Sequence, residues 1–513
     1  MNTAGRRSRI PVAFGCDTGQ NVTVTGAMTE MRAAQGTWSQ VPVDCRVRLV
    51  RRLRHLIVSN AGWLAEASAA ARGRPAAESF AAEVVPLVEA CRFLEFEAPK
   101  LLATRRLGRG GLRFWRPRMF REIHREPMGV VLIIAPGNYP LFLPGVQMIQ
   151  ALVAGNAVLL KPGTGGSASA ERLCELLVRA GFERQLIKVL PESADAAGEA
   201  IAAGPDKVLF TGSAAVGQKI LASLAPRLIP ATLELSGSDA VIVRGDADLD
   251  LAAKALKFGL ELNGGETCIS PKRVFVERSA AIELEARLAQ LFSLPAGKSC
   301  PAPNGRTVWP PSQERLKTLI QEALAHGAHF VAGGFQENGS LVLPVILAGV
   351  LPFERLLHED IFAPVLSLVT VADECEAVFL ANHCPFALGA SVFSRDETAA
   401  RATARKINAG VVTINDLIVP TADPHLPFGG RKRSGFGVTR GAEGLLELTA
   451  PKVVTVTRGR FRPAFEPLAP ADFRLLRAFL TWMHGAHLKA RTAALLSSAS
   501  MIYRRTKTRR RTI

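Results

Sequence analysis

The sequence predicts an α/β protein in which a doubly wound parallel-sheet domain is followed by a second α/β domain and a short β arm. Three observations predict it. Short apolar runs alternate regularly with helical segments from residue 130 onward. A chain of 513 residues that is 48% hydrophobic can bury a large core, which excludes disorder as its main character. Residues 127–160 carry no charge over 34 positions yet contain Pro136, Pro140 and Pro144. Those prolines break any membrane-spanning helix and leave a strand, loop, helix and strand instead.

The elements follow in order. Residues 40–100 mix Arg, Glu and Ala with Leu and Val at helical spacing, with Trp63, Leu64, Phe93 and Leu94 as core anchors. Residues 105–127 become Arg-rich, Gly-rich and aromatic (Gly108, Gly110, Gly111, Phe114, Trp115), which suits a projecting hairpin. Strands at 130–135, 157–160, 187–190, 207–210 and 231–235, with helices near 145–154 and 170–180, make the doubly wound domain. After Gly237 a second series has strands near 240–243, 272–277, 329–332, 364–370, 390–394 and 411–414. A helix at 441–448 and a strand at 452–457 follow. Pro463, Pro467 and Pro470 mark a linker, residues 473–501 are helical by spacing, and residues 504–511 are basic.

The net charge of +18 is unevenly placed. Residues 458–513 hold 13 basic and two acidic side chains, a net of +11, and Arg6, Arg7 and Arg9 add +3, leaving +4 on residues 10–457. No nucleic acid is expected on so neutral a body. The tail could touch an anionic membrane or nucleic acid, or stay solvated. Its Phe473, Leu476, Phe479, Leu480 and Met483 form an apolar stripe better suited to dock on a neighbouring protein surface than to insert in lipid.

The eight cysteines (16, 45, 91, 174, 268, 300, 375 and 384) lack the spacing of a zinc knuckle or redox dithiol. Pro11, Gly15, Asp17 and Gly19 interrupt any secretory apolar region, so a reducing, cytoplasmic setting is expected. His326 and His329 have no further ligand near in sequence, and no metal is expected.

Four segments carry candidate chemistry. Pro136-Gly137-Asn138-Tyr139-Pro140 leaves an apolar strand, where ligands bind in open α/β sheets. Asn138 there is either a turn residue or an amide donor to a developing oxyanion. Phe210-Thr211-Gly212-Ser213-Ala214-Ala215-Val216-Gly217 runs from strand into helix, and its small residues let backbone N–H groups approach a pyrophosphate. It is neither a P-loop nor GxGxxG. Glu234, in Leu233-Glu234-Leu235-Ser236-Gly237, reads as a buried general base or a solvated edge residue. Cys268 alone among the cysteines lies in a Gly-rich polar loop, Asn263-Gly264-Gly265-Glu266-Thr267-Cys268, where a thiolate could meet substrate.

In this order, and with Leu160-Lys161-Pro162, His358-Glu359-Asp360-Ile361-Phe362-Ala363-Pro364 and Pro427-Phe428-Gly429-Gly430-Arg431-Lys432-Arg433-Ser434-Gly435, the chain from about residue 38 to 457 resembles the aldehyde dehydrogenase superfamily, non-acylating type. The resemblance implies a cofactor-binding domain (38–104 and 128–235), a catalytic domain (236–449) and an oligomerisation arm (105–127 and 450–457). A basic N-terminal segment (1–37) and a basic helical extension (458–513) flank them.

It also implies that Cys268 attacks an aldehyde, that Asn138 and the Cys268 backbone N–H hold the oxyanion, and that Glu234 activates water to hydrolyse the thioester. The cofactor, NAD or NADP, would meet Pro136, Lys161, Thr164, Phe210, Thr211, Gly212, Ser213, Val216, Gly217, Leu235, Asp360 and Phe362. Asp360 stands where Glu is usual, Ser236 where Gly is usual, and Thr164 where NAD-preferring members often have Glu. Without that carboxylate NADP is expected to serve at least comparably to NAD. A homodimer or tetramer is implied. The competing expectations are a catalytically silent scaffold with a surface-binding tail, and an acyl-transferring, CoA-type enzyme.

Overall fold

The structure is a computed structural model that describes residues 24–107, 119–293, 310–336, 340–458, 465, 467 and 470–509. Residues 1–23, with Arg6, Arg7, Arg9 and Cys16, lie outside the described residues. So do the hairpin residues Gly108, Gly110, Gly111, Phe114 and Trp115, as well as Cys300, Pro463, Arg510 and Arg511. The chain divides into a large unit (Met1–Thr104 and His124–Lys452) and a small one (Arg105–Ile123 and Val453–Ile513).

The large unit is built on two sheets. In the first, five parallel strands lie in the order Ala231–Leu235, Lys207–Gly212, Val130–Ile134, Ala157–Lys161, Ile187–Val189. Every residue of Val130–Ile134 is buried, as expected for a parallel strand covered on both faces. The short strand Gly435–Phe436 pairs antiparallel with the edge strand and sets Gly435 opposite Glu234. The second sheet has the order His329–Phe335, Leu341–Ala348, Val365–Val371, Pro271–Glu277, Asp239–Val243, Gly389–Phe393, Val411–Ile414, parallel apart from its first pair. The chain crosses between the sheets over Ser236, Gly237 and Ser238, so Glu234 lies just before the crossing. The doubly wound sheet and the second α/β sheet are those the sequence predicts.

Three elements depart from expectation. Helix Phe142–Ala154 begins before Pro144 rather than after it. Pro144 is the third helical residue, where a backbone N–H would have no intrahelical partner in any case, so the ring costs no hydrogen bond. Strand Leu341–Ala348 was hidden by Pro344, which reads as a strand breaker. Its partner strand is bulged there: Ala332 faces Ile346 and Gly334 faces Val342, so Pro344 has no ladder position to fill. Val24–Ser39, which begins in the expected basic N-terminal segment and runs past its end, is a helix that buries Met28, Met31 and Trp38. Trp38 Nε1 donates to Leu152 O at 2.8 Å, tying it to helix Phe142–Ala154.

In the small unit, Arg105–Leu107 pairs antiparallel with Met119–Pro127, which is flanked on its other side by Thr449–Thr457. Two helices follow, Pro470–His484 and Leu488–Arg509. The expected apolar stripe does not hold together: Phe479 is buried while Phe473 and Leu480 are exposed. No described helix is long and apolar enough to cross a membrane.

Candidate active site

The loop carrying Cys268 is held in shape by backbone conformation first. Asn263, Gly264 and Gly265 all have positive φ (52°, 63° and 74°), which turns the chain sharply after helix Leu249–Glu261. Gly265 is obligatory there, since a Cβ would sit 2.6 Å from the Pro364 backbone. Asn263 Nδ2 then donates to Asn138 O (3.1 Å) and Glu266 O (3.0 Å), and Arg74 donates to Asn263 Oδ1 at 2.8 Å. Arg74 is buried against Glu83, whose other oxygen accepts the backbone N–H groups of Leu141 (2.7 Å) and Phe142 (3.0 Å). Tyr139 OH bonds Thr267 Oγ1 at 2.7 Å. The Asn138 loop, the Cys268 loop and an early helix are thereby fastened into one buried polar network. Sequence reasoning missed Arg74, Glu83 and the clamping role of Asn263, because their partners are far away along the chain.

Within that frame the three candidate catalytic residues converge. Asn138 is 7% exposed, and its Nδ2 donates to Glu266 O at 3.0 Å. An amide nitrogen carries two N–H groups, so one remains for a reacting oxygen. Cys268 is half-buried. Burial, Glu234 and Asp239 push its thiol up, while Arg440 and the Ile269 backbone N–H pull it down. Glu234 is 3% exposed; its Oε2 accepts from Thr439 Oγ1 at 3.1 Å and its Oε1 has no partner. Burial raises the Glu234 carboxyl above its ordinary range, and Arg440 and Thr439 oppose that rise. The solvated-edge reading of Glu234 is excluded by this burial.

Arg440 is the residue the sequence concealed. It is 6% exposed, with its guanidinium 4.3 Å from the Phe428 ring and 5.6 Å from the Phe142 ring, and it donates to Thr421 O at 2.5 Å. Its φ is +61°, a sparsely populated conformation for a side-chain-bearing residue. Its Nε, like Glu234 Oε1, is buried without a partner. Arg440 also lines a small pocket with Pro86, Ala90, Phe93, Phe142, Val146 and Gln150.

The predicted cofactor residues gather at the carboxyl ends of the first sheet. Ile134 is paired with both Lys161 and Phe210, and Thr211 and Gly212 are paired with Glu234 and Leu235, so Pro136, Lys161, Phe210, Thr211, Gly212 and Leu235 share one rim. Gly163 lets the neighbouring loops touch, since a Cβ there would meet the Pro136 carbonyl carbon at 2.2 Å. Ser213 caps helix Ala214–Leu224 by accepting from Val216 N at 3.4 Å, and Gly217 lies on its first turn. An ammonium at Lys161 and a helix N-terminus suit a dinucleotide. Asp360 accepts a hydrogen bond from Ser236 Oγ, so two departures from the family pattern meet each other. Its Oδ1 is buried and unpartnered, which fits an expected hydroxyl ligand. Phe362 and Val216 are exposed beside this rim at 42% and 44%.

Two charged residues add to the expected set. Lys272 is buried and donates to Gly265 O (3.2 Å) and Ala363 O (2.6 Å), joining the Cys268 loop to the Asp360 loop, and burial lowers its pKa to about 8. Glu192 accepts from the backbone N–H groups of Gly165 (2.7 Å) and Ser167 (2.9 Å), just after the exposed Thr164. A carboxylate therefore does stand close to Thr164, supplied from a different strand end. Among the described residues no group of His, Cys, Asp and Glu could hold a metal. His326 and His329 face Glu354 and Glu285 instead, at 2.7 Å each.

The doubly wound sheet, with the candidate dinucleotide residues at its carboxyl rim, has the layout of a dinucleotide-dependent oxidoreductase. The model of the Aldehyde dehydrogenase family matches residues 12–454. The chain is 31% identical over 461 residues to a 4,4'-diapolycopene aldehyde oxidase of Methylomonas sp, covering 89% of this chain and 86% of the relative. It is 33% identical over 446 residues to a putative NADP(+) succinate-semialdehyde dehydrogenase of Mycolicibacterium smegmatis, covering 85% and 84%. Among solved structures, the NAD-dependent aldehyde dehydrogenase of Sinorhizobium meliloti aligns with a TM-score of 0.78 at 31% identity, over 86% of this chain and 88% of that one. The chain belongs to the aldehyde dehydrogenase family and is an NAD(P)-dependent aldehyde dehydrogenase.

Proposed function

We propose that the enzyme converts an aldehyde to the carboxylic acid through an acyl group carried on Cys268. The observation that supports it best is the meeting of a half-buried thiol, a buried carboxylate with one free oxygen and an amide N–H around a single clamped loop. The Cys268 thiolate adds to the carbonyl carbon, and the oxygen takes up the electron pair and is held by Asn138 Nδ2 and the Cys268 backbone N–H. NAD or NADP, when bound, supplies the hydride acceptor that leaves a thioester on Cys268. Lys161, Thr164 and residues 210–217 would hold its adenosine and pyrophosphate, Pro136 and Leu235 would line the rim beside it, and Asp360 and Phe362 would meet its nicotinamide ribose. Glu234 then takes a proton from water as that water attacks the thioester carbon. The C–S bond breaks, the acid leaves and the thiolate is restored.

The enzyme acts in the cytoplasm as a homodimer or tetramer, with Arg105–Leu107, Met119–Pro127 and Thr449–Thr457 as its arm. The test is an aldehyde panel with each cofactor, following reduced-cofactor absorbance and acid release, with Cys268→Ala as control. Activity that survives Cys268→Ala removes the nucleophile from the mechanism. Turnover that needs CoA and releases no acid replaces hydrolysis with acyl transfer.

A further inference from the structure

The family match stops at residue 454, and the chain beyond it carries a net charge of +11 over residues 458–513. Helix Pro470–His484 turns Leu475 and Phe479 inward, at 8% and 7% exposure, and Phe473 and Leu480 outward, at 69% and 61%. Phe473, Arg477, Leu480 and His484 recur at i, i+4, i+7 and i+11, so large apolar and basic side chains alternate along one face. Helix Leu488–Arg509 leaves Leu488 and Leu496 74% and 73% exposed, close to the exposed Lys489 and Arg491. The two helices pack on each other, and Arg491 Nε donates to Trp482 O at 2.9 Å. Their mutual packing is therefore already made, and it leaves these apolar groups in water. A single exposed leucine needs no explanation, but four large apolar side chains exposed on one basic helical pair do.

We propose that this helical pair is a docking surface for an anionic lipid bilayer. Phe473, Leu480, Leu488 and Leu496 enter the boundary between headgroups and acyl chains, while Arg474, Arg477, Lys489 and Arg491 meet lipid phosphates. Charge complementarity selects the occupant. Nucleic acid would use the arginines and leave the phenylalanine and leucines wet. A second copy of the same face would bring two like-charged segments together. No described helix can cross the bilayer, so attachment is to its surface. The stripe expected to seek a protein surface is divided between the two roles: its Phe479 closes the helical pair, and its Phe473 and Leu480 face outward.

The experiment is flotation of the full-length protein with vesicles of phosphatidylcholine, with or without 30% phosphatidylglycerol. Two double variants accompany it, Leu480→Ser with Leu496→Ser and Arg474→Gln with Arg477→Gln. The wild type binds the anionic vesicles at least tenfold more tightly than the neutral ones. Each arginine removed weakens binding roughly fivefold, the factor for one basic residue at an anionic surface. The leucine pair lowers partitioning by at least tenfold with charge unchanged. Aldehyde oxidation in solution stays at the wild-type rate in both variants. Equal binding to both vesicle types, or none to either, overturns the proposal. So does full binding by the leucine variant, the pattern of a charge-only contact that nucleic acid would share. A change of oligomer size in the leucine variant makes a second copy the occupant and also overturns it. If the leucine variant loses helicity by circular dichroism, the arginine pair and the neutral vesicles decide.

Discussion

Replacing Arg440 with glutamine tests the electrostatics of the site most sharply. Arg440 is a buried cation that acts on both Glu234 and Cys268. It makes no salt bridge with Glu234, so the pair interacts across a gap rather than by contact. For two unit charges about 5–7 Å apart, at an effective dielectric of ~20, Coulomb's law gives roughly 2–3 kcal/mol, or about two pKa units. The sign follows from the charges. Burial already raises Glu234, and removing Arg440 raises it further, so the carboxylate form needed for water activation appears only at higher pH. The thiol moves the same way. In Arg440→Gln the acidic limb of the kcat profile shifts upward by one to two units, and iodoacetamide alkylation of Cys268 at pH 7 slows about tenfold or more. Arg440→Lys restores most of both, although Arg440 also packs on Phe428 and bonds Thr421, so some thermal stability is lost in each variant. Profiles of the glutamine variant and wild type that coincide in both assays would refute the reasoning.

Three further outcomes follow from the geometry. Asn138→Ala removes the free amide donor and lowers kcat by about 10²–10³, with cofactor affinity by fluorescence titration unchanged. Glu192→Gln removes the carboxylate beside Thr164 and raises the NADP-to-NAD ratio of kcat/KM several-fold; an unchanged ratio means the carboxylate does not reach the ribose. Arg74→Met leaves Glu83 buried without its cation and costs about 3–5 kcal/mol in urea unfolding, a loss the double variant with Glu83→Leu partly recovers.

The parallel strands were legible because burial on both faces writes a continuous apolar run, as in Val130–Ile134 and Asp239–Val243. Asn138 and Glu234 were legible because they stand at strand carboxyl ends, where open sheets bind ligands, and Cys268 because it alone among the cysteines lies in a Gly-rich polar loop, here leading into strand Pro271–Glu277. What escaped depends on contacts between residues distant in sequence. Pro344 hid a strand because the bulge that accommodates it belongs to the partner strand. Glu192 escaped because it reaches the Thr164 loop from 27 residues away, and Arg74 because it reaches Asn263 from 189 away. Arg440 escaped because an arginine after a glycine-rich motif reads as surface charge, and full burial of arginine is rare. Ser236 and Asp360 each looked like an isolated departure, and only the fold pairs them.

The central claim, an acyl group carried on Cys268 and released by Glu234, has a direct readout. Glu234→Gln mixed with an aldehyde and NAD or NADP, quenched in acid and digested, should show a burst of reduced cofactor near one per active site. Mass spectrometry should find the peptide bearing Cys268 heavier by the acyl group. A burst of that size with the adduct on another residue, or with no adduct at all, would contradict the account.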